Sequence, residues 1–190
     1  VVGALITLPV VAKVAFTGGS ESGGHVYSRA AESLKKVSFE LGGKSPNIIF
    51  DDCNIENAVK GAISGIFAAT GQTCVAGSRL LVQESIHDEF VEKLVTFART
   101  AKMGDPMSED THVGPVTTYP QFEKVLGYLD VAREEGVNCV LGGNRATRPE
   151  CGDGWFVEPT IYTNVQNSMR IAKEEIFGPV LSDATYTHLK

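Results

Sequence analysis

The sequence predicts an α/β fold, an open, twisted, mainly parallel sheet flanked by helices. Short β-branched runs alternate with stretches of helical period along the whole chain. Glycine-bearing breaks such as Gly18-Gly19, Gly71 and Gly136 separate several of those stretches, as expected where strands and helices are joined by tight turns.

The elements follow in order. Lys13–Thr17 (KVAFT) reads as a strand, Gly18-Gly19-Ser20 as a turn, and Glu21–Glu32 as a helix, with a second strand at Lys36–Glu40 (KVSFE). Asn47–Phe50 (NIIF) is a buried strand. Asn54–Ala69 carries Ile55, Ala58, Val59, Ala62, Ile63, Ile66 and Phe67 at helical spacing, with Gly71 as its stop. Arg79–Gln83 is strand-like, and His87–Lys102 places Phe90, Leu94, Phe97, Ala98 and Ala101 on one apolar face. Met103–Pro115 is loop, and Thr118–Glu135 is a helix with Pro120 in its first turn and Gly136 past its end. Asn138–Leu141 and Phe156–Tyr162 are further strands. Lys173–Gly178 is a turn leading into Pro179–Leu181.

Composition excludes several function classes. In the 190 residues, 17 Lys+Arg against 23 Asp+Glu leave a net charge of −6, and no basic cluster stands out, so nucleic acid is not an expected partner. The longest apolar stretches, such as Gly61–Thr70, fall short of the about 20 residues a bilayer span needs. The apolar opening VVGALITLPVV lacks a basic flank and an initiator Met, and is expected to be neither a signal peptide nor a natural start. Cys53, Cys74, Cys139 and Cys151 form no CxxC pair, which favours free thiols in a reducing, cytoplasmic compartment. The four histidines lack metal-ligand spacing, and no metal is expected.

Four segments carry the chemistry. Gly71-Gln72-Thr73-Cys74 precedes a run of small residues that leaves a thiol accessible, beside backbone N–H groups able to hold a thiolate or an oxyanion; a buried structural cysteine is the competing reading. Phe39-Glu40-Leu41-Gly42-Gly43-Lys44 places a carboxylate at a strand end before paired glycines, where ligands collect in α/β sheets; an ordinary turn with an exposed Glu is the alternative. A strand and helix separate Glu40 from Cys74, so a carboxylate base beside a thiol nucleophile is geometrically feasible. Phe16–Gly23 is a strand, Gly-turn and helix unit that turns helical N–H groups toward an anionic ligand, although it lacks full GxGxxG spacing. Lys173–Pro179 sets a carboxylate two residues from an aromatic ring before a Gly-Pro break, which suits a ribose and a ring or equally a solvated charge run.

Taken together and in this order, FTGGSESGG (16–24), FELGGKSPNIIFDD (39–52), GQTCVAGSRLLVQ (71–83) and EEIFGPV (174–180) resemble the signature segments of the aldehyde dehydrogenase superfamily. The resemblance runs from about Val1 to Leu181. It implies NAD(P)-dependent oxidation of an aldehyde to an acid, with Cys74 as nucleophile and Glu40 activating the water that hydrolyses the thioester. Gly18, Gly19 and Gly23 would border the adenosine end of NAD or NADP. Leu41 and Gly42 would line the nicotinamide, Glu175 would bind its ribose, and Phe177 would pack near the ring. Most members carry Ser where Gly19 stands.

The resemblance also implies a division into residues 1–40, a βαβ remnant of the dinucleotide-binding domain, 41–181, the catalytic domain, and a tail at 182–190 that departs from the family, with Asp183 in an apolar position. A longer amino-terminal portion carrying the second oxyanion donor is expected before Val1, which implies weak or no turnover for this chain. Homo-oligomers and a small aldehyde are the expected partners. A cofactor-independent thiol esterase, a coenzyme A acylating relative and a non-catalytic binding fragment stay open.

Overall fold

The computed structural model describes residues 2–187, so His188–Lys190, the end of the expected tail, lie outside the described residues. The chain divides into two compact units, Val1–Gly43 and Lys44–Lys190. The division falls after Gly43, where the sequence reading sets it after residue 40.

The first unit contains helix α1 (Val2–Thr7), strand β1 (Lys13–Thr17), helix α2 (Ser20–Ala31) and strand β2 (Lys36–Glu40). The two strands pair in parallel, with Thr17 opposite Glu40. Ile6, Val26 and Ala30 form the unit's small core, flanked by Val14, Phe16, Val37 and Phe39. Helix α1 lies within the apolar opening, where no element is predicted, because its six residues are too few to show a period.

The second unit holds a five-stranded sheet. Strands β3 (Pro46–Ile49), β4 (Arg79–Gln83), β5 (Asn138–Leu141), β6 (Thr160–Thr163) and β7 (Val180–Tyr186) stand in the order β3-β4-β7-β6-β5. All pairings are parallel except β5 with β6. Helices α3 (Ile55–Phe67) and α4 (His87–Ala98) join one apolar cluster with Leu80, Val82, Ile161 and Leu181. Helices α5 (Tyr119–Glu134) and α6 (Arg170–Lys173) join a second with Tyr162 and Val180. Successive residues of β6 and β7 thus divide between the two clusters, as the period of a strand requires. Among the described residues no helix is long and apolar enough to cross a membrane.

Three elements differ from expectation for identifiable reasons. Helix α4 stops at Ala98 rather than Lys102, because Lys102 is drawn into the following loop: its N–H donates to His112 Nδ1 (3.0 Å) and its carbonyl accepts from His112 N (2.9 Å). Strand β6 begins at Thr160, since Pro159 has no N–H to give a ladder. The segment set apart from Ser182 onward is, through Tyr186, the second half of β7, paired with β4 along Arg79–Gln83. Ser182 and Asp183 in it are fully buried, and Ser182 Oγ donates to the Ile171 carbonyl (3.0 Å) while Asp183 Oδ2 lies 2.8 Å from His87 Nε2.

Candidate active site

Cys74 is exposed at the tip of a tight turn, closed by a hydrogen bond from Ala76 N to the Thr73 carbonyl (3.0 Å). Among the described residues the Cys74 N–H donates to no acceptor. The far end of the loop is held by Gly77 N donating to Gly65 O of α3 (2.9 Å). The near end is conformationally demanding. Ala69 (φ 49°), Thr70 (φ 58°) and Gly71 (φ 70°) are consecutive left-handed residues, a run that L side chains adopt only when their surroundings enforce it. Thr70 supplies part of that enforcement, being buried with Oγ1 donating to the Gly114 carbonyl (3.2 Å).

Glu175 and Phe177 lie in the turn between α6 and β7. Phe177 is left-handed (φ 58°), and the neighbouring carbonyls of Ile176 and Phe177 both accept from Gln121 Nε2 at 2.9 Å. The adjacent carboxylates have different surroundings, although the sequence presents them as one charge run. Glu174 accepts from Arg170 (2.9 Å from both Nε and Nη2) and from Tyr128 Oη (2.8 Å), and these bonds hold its carboxyl down to about 2. Glu175 instead acts on Lys44. Burial and the repelling charge of Arg79 push the Lys44 amine down to about 8, against the attraction of Glu175.

In the first unit Glu40 is exposed at the end of β2, with its carbonyl accepting from Gly18 N (3.1 Å). That bond joins the β1 turn to the end of β2. Gly23 is buried, and a side chain there would begin 2.8 Å from Leu41 Cδ2, so this glycine permits close packing of α2. At Gly18 a Cβ would meet the Phe16 ring at 2.7 Å, whereas Gly19 faces open space. Gly19 is the N-cap of α2 and provides no side-chain cap, which leaves first-turn N–H groups for an anionic group such as a dinucleotide phosphate.

The structure therefore gathers Gly18, Gly19, Gly23, Glu40, Leu41 and Gly42 in the first unit, and Cys74, Glu175 and Phe177 in the second. Sequence reasoning assigned no role to Gln72, Thr117 or Gln121. Gln72 stands inside the cysteine motif, but Thr117 and Gln121 carry no local signal. Among the described residues no group of three or more His, Cys, Asp or Glu is placed to hold a metal.

On this α/β scaffold the second unit presents an exposed thiol and the first a helix start without a side-chain cap, the features of a cysteine-bearing fold with a helix N-terminus open to ligand. The aldehyde dehydrogenase family profile matches residues 1–190, and the chain belongs to that family. It is 47% identical over 178 residues to a betaine aldehyde dehydrogenase of Mesorhizobium japonicum, covering 94% of this chain and 37% of that protein. It is 47% identical over 182 residues to a chloroplastic aminoaldehyde dehydrogenase of Arabidopsis thaliana, covering 96% of this chain and 36% of that one. The crystal structure of Staphylococcus aureus betaine aldehyde dehydrogenase in complex with NAD+ superposes with a TM-score of 0.97 at 42% identity, over 99% of this chain and 37% of that one. The chain thus spans just over a third of the length of these relatives.

Proposed function

We propose that this chain carries the nucleophile and much of the cofactor cradle of an NAD-dependent aldehyde dehydrogenase. The observation that carries the reading is Cys74, exposed at the tip of its turn with its own N–H unengaged. The thiolate attacks the aldehyde carbon, forming a C–S bond, and the carbonyl oxygen becomes an alkoxide that accepts a hydrogen bond from the Cys74 N–H. Gly18, Gly19, Leu41, Gly42, Glu175 and Phe177 would hold the nicotinamide dinucleotide, which when bound supplies the hydride acceptor. Gly23 would border the adenosine end of the dinucleotide, and its lack of a side chain leaves room for Leu41. Loss of hydride from the thiohemiacetal carbon leaves an acyl thioester on Cys74. Glu40 takes a proton from the water that attacks the acyl carbon, releasing the carboxylic acid and the thiol.

NAD rather than NADP is supported by the relative solved with NAD+, and the relatives named for betaine aldehyde and aminoaldehydes make cationic aldehydes the first substrates to try. Four unpaired thiols support a reducing compartment, which we take to be the cytoplasm, and a second copy of the chain is the expected macromolecular partner. Sedimentation reads that last point.

The test is NADH formation from betaine aldehyde by wild type, Cys74→Ala and Glu40→Gln. Abolition by the first and accumulation of an acyl-enzyme by the second are expected. Turnover that survives Cys74→Ala overturns the reading. Cleavage of a nitrophenyl ester without NAD, lost in Cys74→Ala, would instead favour a thiol esterase.

A further inference from the structure

We infer that the start of α5 is a brace that holds the nucleophile loop and the Glu175–Gly178 turn in one frame, with Gln72 and Gln121 as positioning residues. The inference rests on the reading of Cys74 given above and adds what sets the place of its sulfur.

The brace has two arms. In the first, Gln72 Oε1 accepts from Thr117 N (2.9 Å) and from Thr117 Oγ1 (2.8 Å), while Gln72 Nε2 donates to the Ala69 carbonyl (3.3 Å). Both polar atoms of this side chain are engaged two residues before Cys74, and they close the exit of the left-handed run Ala69–Gly71. In the second arm, Gln121 Nε2 grips the carbonyls of Ile176 and Phe177, which holds left-handed Phe177 in place. The arms are four residues apart, Gln121 in the first turn of α5 and Thr117 just before the helix cap. Thr118 caps α5 between them, its Oγ1 accepting from Gln121 N (3.4 Å).

A direct contact couples the two loops. A Cβ at Gly71 would stand 2.0 Å from the Gly178 carbonyl oxygen, so the backbones of the two loops already touch. Neither loop is held by a strand ladder at these residues. Two glutamine side chains and one glycine contact link them, so that a shift in either arm is transmitted to the other. This is the arrangement a reaction needs when a nucleophile and a second substrate must be held at fixed separation.

The test needs no turnover, so it is independent of the activity assay. In the full chain, iodoacetamide modification of each cysteine is followed by mass spectrometry for wild type, Gln72→Met, Gln121→Met and the double variant. Met keeps the length of Gln and removes its hydrogen bonds. The rate at Cys74 relative to exposed Cys139 in the same molecule is expected to change by about threefold or more in each single variant, with a non-additive double variant because the arms share one frame. The Cys139 rate itself is expected to hold, which separates repositioning from general loosening.

Unchanged Cys74-to-Cys139 ratios in the single variants, or additive effects in the double, overturn the brace. Should Gln72→Met fail to fold, Thr117→Val removes the hydroxyl donor, leaves the N–H donor and is read the same way. Turnover that survives Cys74→Ala would overturn the nucleophile reading without moving these ratios, so the two failures are distinguishable.

Discussion

His87 Nε2 lies 2.8 Å from Oδ2 of Asp183, a carboxylate with no solvent exposure in the middle strand of the sheet. The bond ties the first residue of α4 to β7. The second ring nitrogen of His87 lies 3.2 Å from Asp88 Oδ1. The hydrogen bond to Asp183 is the main cause that pushes the His87 imidazole up to about 9, while burial pushes the Asp183 carboxyl up. A histidine raised in this way stabilises the fold fully below its unfolded value near 6.5, and that contribution is lost as pH rises through about 9. Urea unfolding of wild type is therefore expected to weaken between pH 6.5 and 9.5 by on the order of 1–3 kcal/mol more than that of His87→Gln, the desolvated Asp183 offsetting part of the gain. Parallel pH profiles for the two proteins would refute it. His87→Ala, which strands a buried carboxylate, is expected to cost about 3–5 kcal/mol, and Asp183→Asn less.

Gly71→Ala should be among the most damaging single-methyl changes in the chain. Its φ of 70° is costly for any L side chain, and the new Cβ would meet a carbonyl that cannot swing away. A loss of roughly 2–4 kcal/mol in stability is expected, with altered alkylation of Cys74. Gly178→Ala makes a different clash, 2.6 Å from Val125 Cγ2. That is a side chain, so Val125→Ala is expected to relieve part of the cost in the double variant, whereas it should not relieve Gly71→Ala. Equal responses of both glycine variants to Val125→Ala would contradict the assignment.

Thr160 is fully buried, and its hydroxyl joins two turns: Oγ1 accepts from Gly143 N (2.9 Å) and donates to the Glu158 carbonyl (2.8 Å). Gly142 beside it is left-handed (φ 67°), with a would-be Cβ 2.3 Å from the Pro159 carbonyl. Thr160→Val preserves shape and leaves the Gly143 N–H unpaired, for an expected loss of about 1–3 kcal/mol. Thr160→Ser keeps the hydroxyl and should lose only about 1 kcal/mol with its methyl. Thermal unfolding of the two variants side by side measures the difference, and a Ser variant as weak as the Val variant would show that packing, not the hydroxyl, holds this corner.

How much of this was legible in the sequence depends on whether a residue's partner is local. Helix α3 was readable because Val59, Ala62, Ile66 and Phe67 bury one stripe of it, and Asn54 caps it by accepting from Asn57 N (3.0 Å). The turn bearing Cys74 was readable from its small residues. Strand β7 was readable only to Leu181, because the partners that make Ser182 and Asp183 acceptable in a core are Ile171 and His87, 11 and 96 residues away. Gln121 gave no signal for the same reason: what it holds lies 55 and 56 residues on. Polar residues whose bonds close across the fold have no period and no motif.

The four cysteines offer a last prediction, since their settings differ while their chemistry does not. Cys74 and Cys139 are exposed, Cys53 is half-buried, and Cys151 is 4% exposed. Exposure alone would make Cys74 and Cys139 equals. However, Cys139 Sγ donates to the Leu141 carbonyl (3.3 Å), and burial pushes its thiol up, so a smaller fraction is thiolate at neutral pH. Cys151 suffers the same upward push from burial and is also shielded from reagent. The expected order of alkylation at pH 7.5 is Cys74 first, then Cys139 and Cys53, with Cys151 last and reacting only on unfolding. Site-resolved mass spectrometry over a time course reads the order directly. Modification of Cys151 before Cys74 would mean that the cysteine turn is covered and the packing around Cys151 is open, the reverse of the arrangement described above.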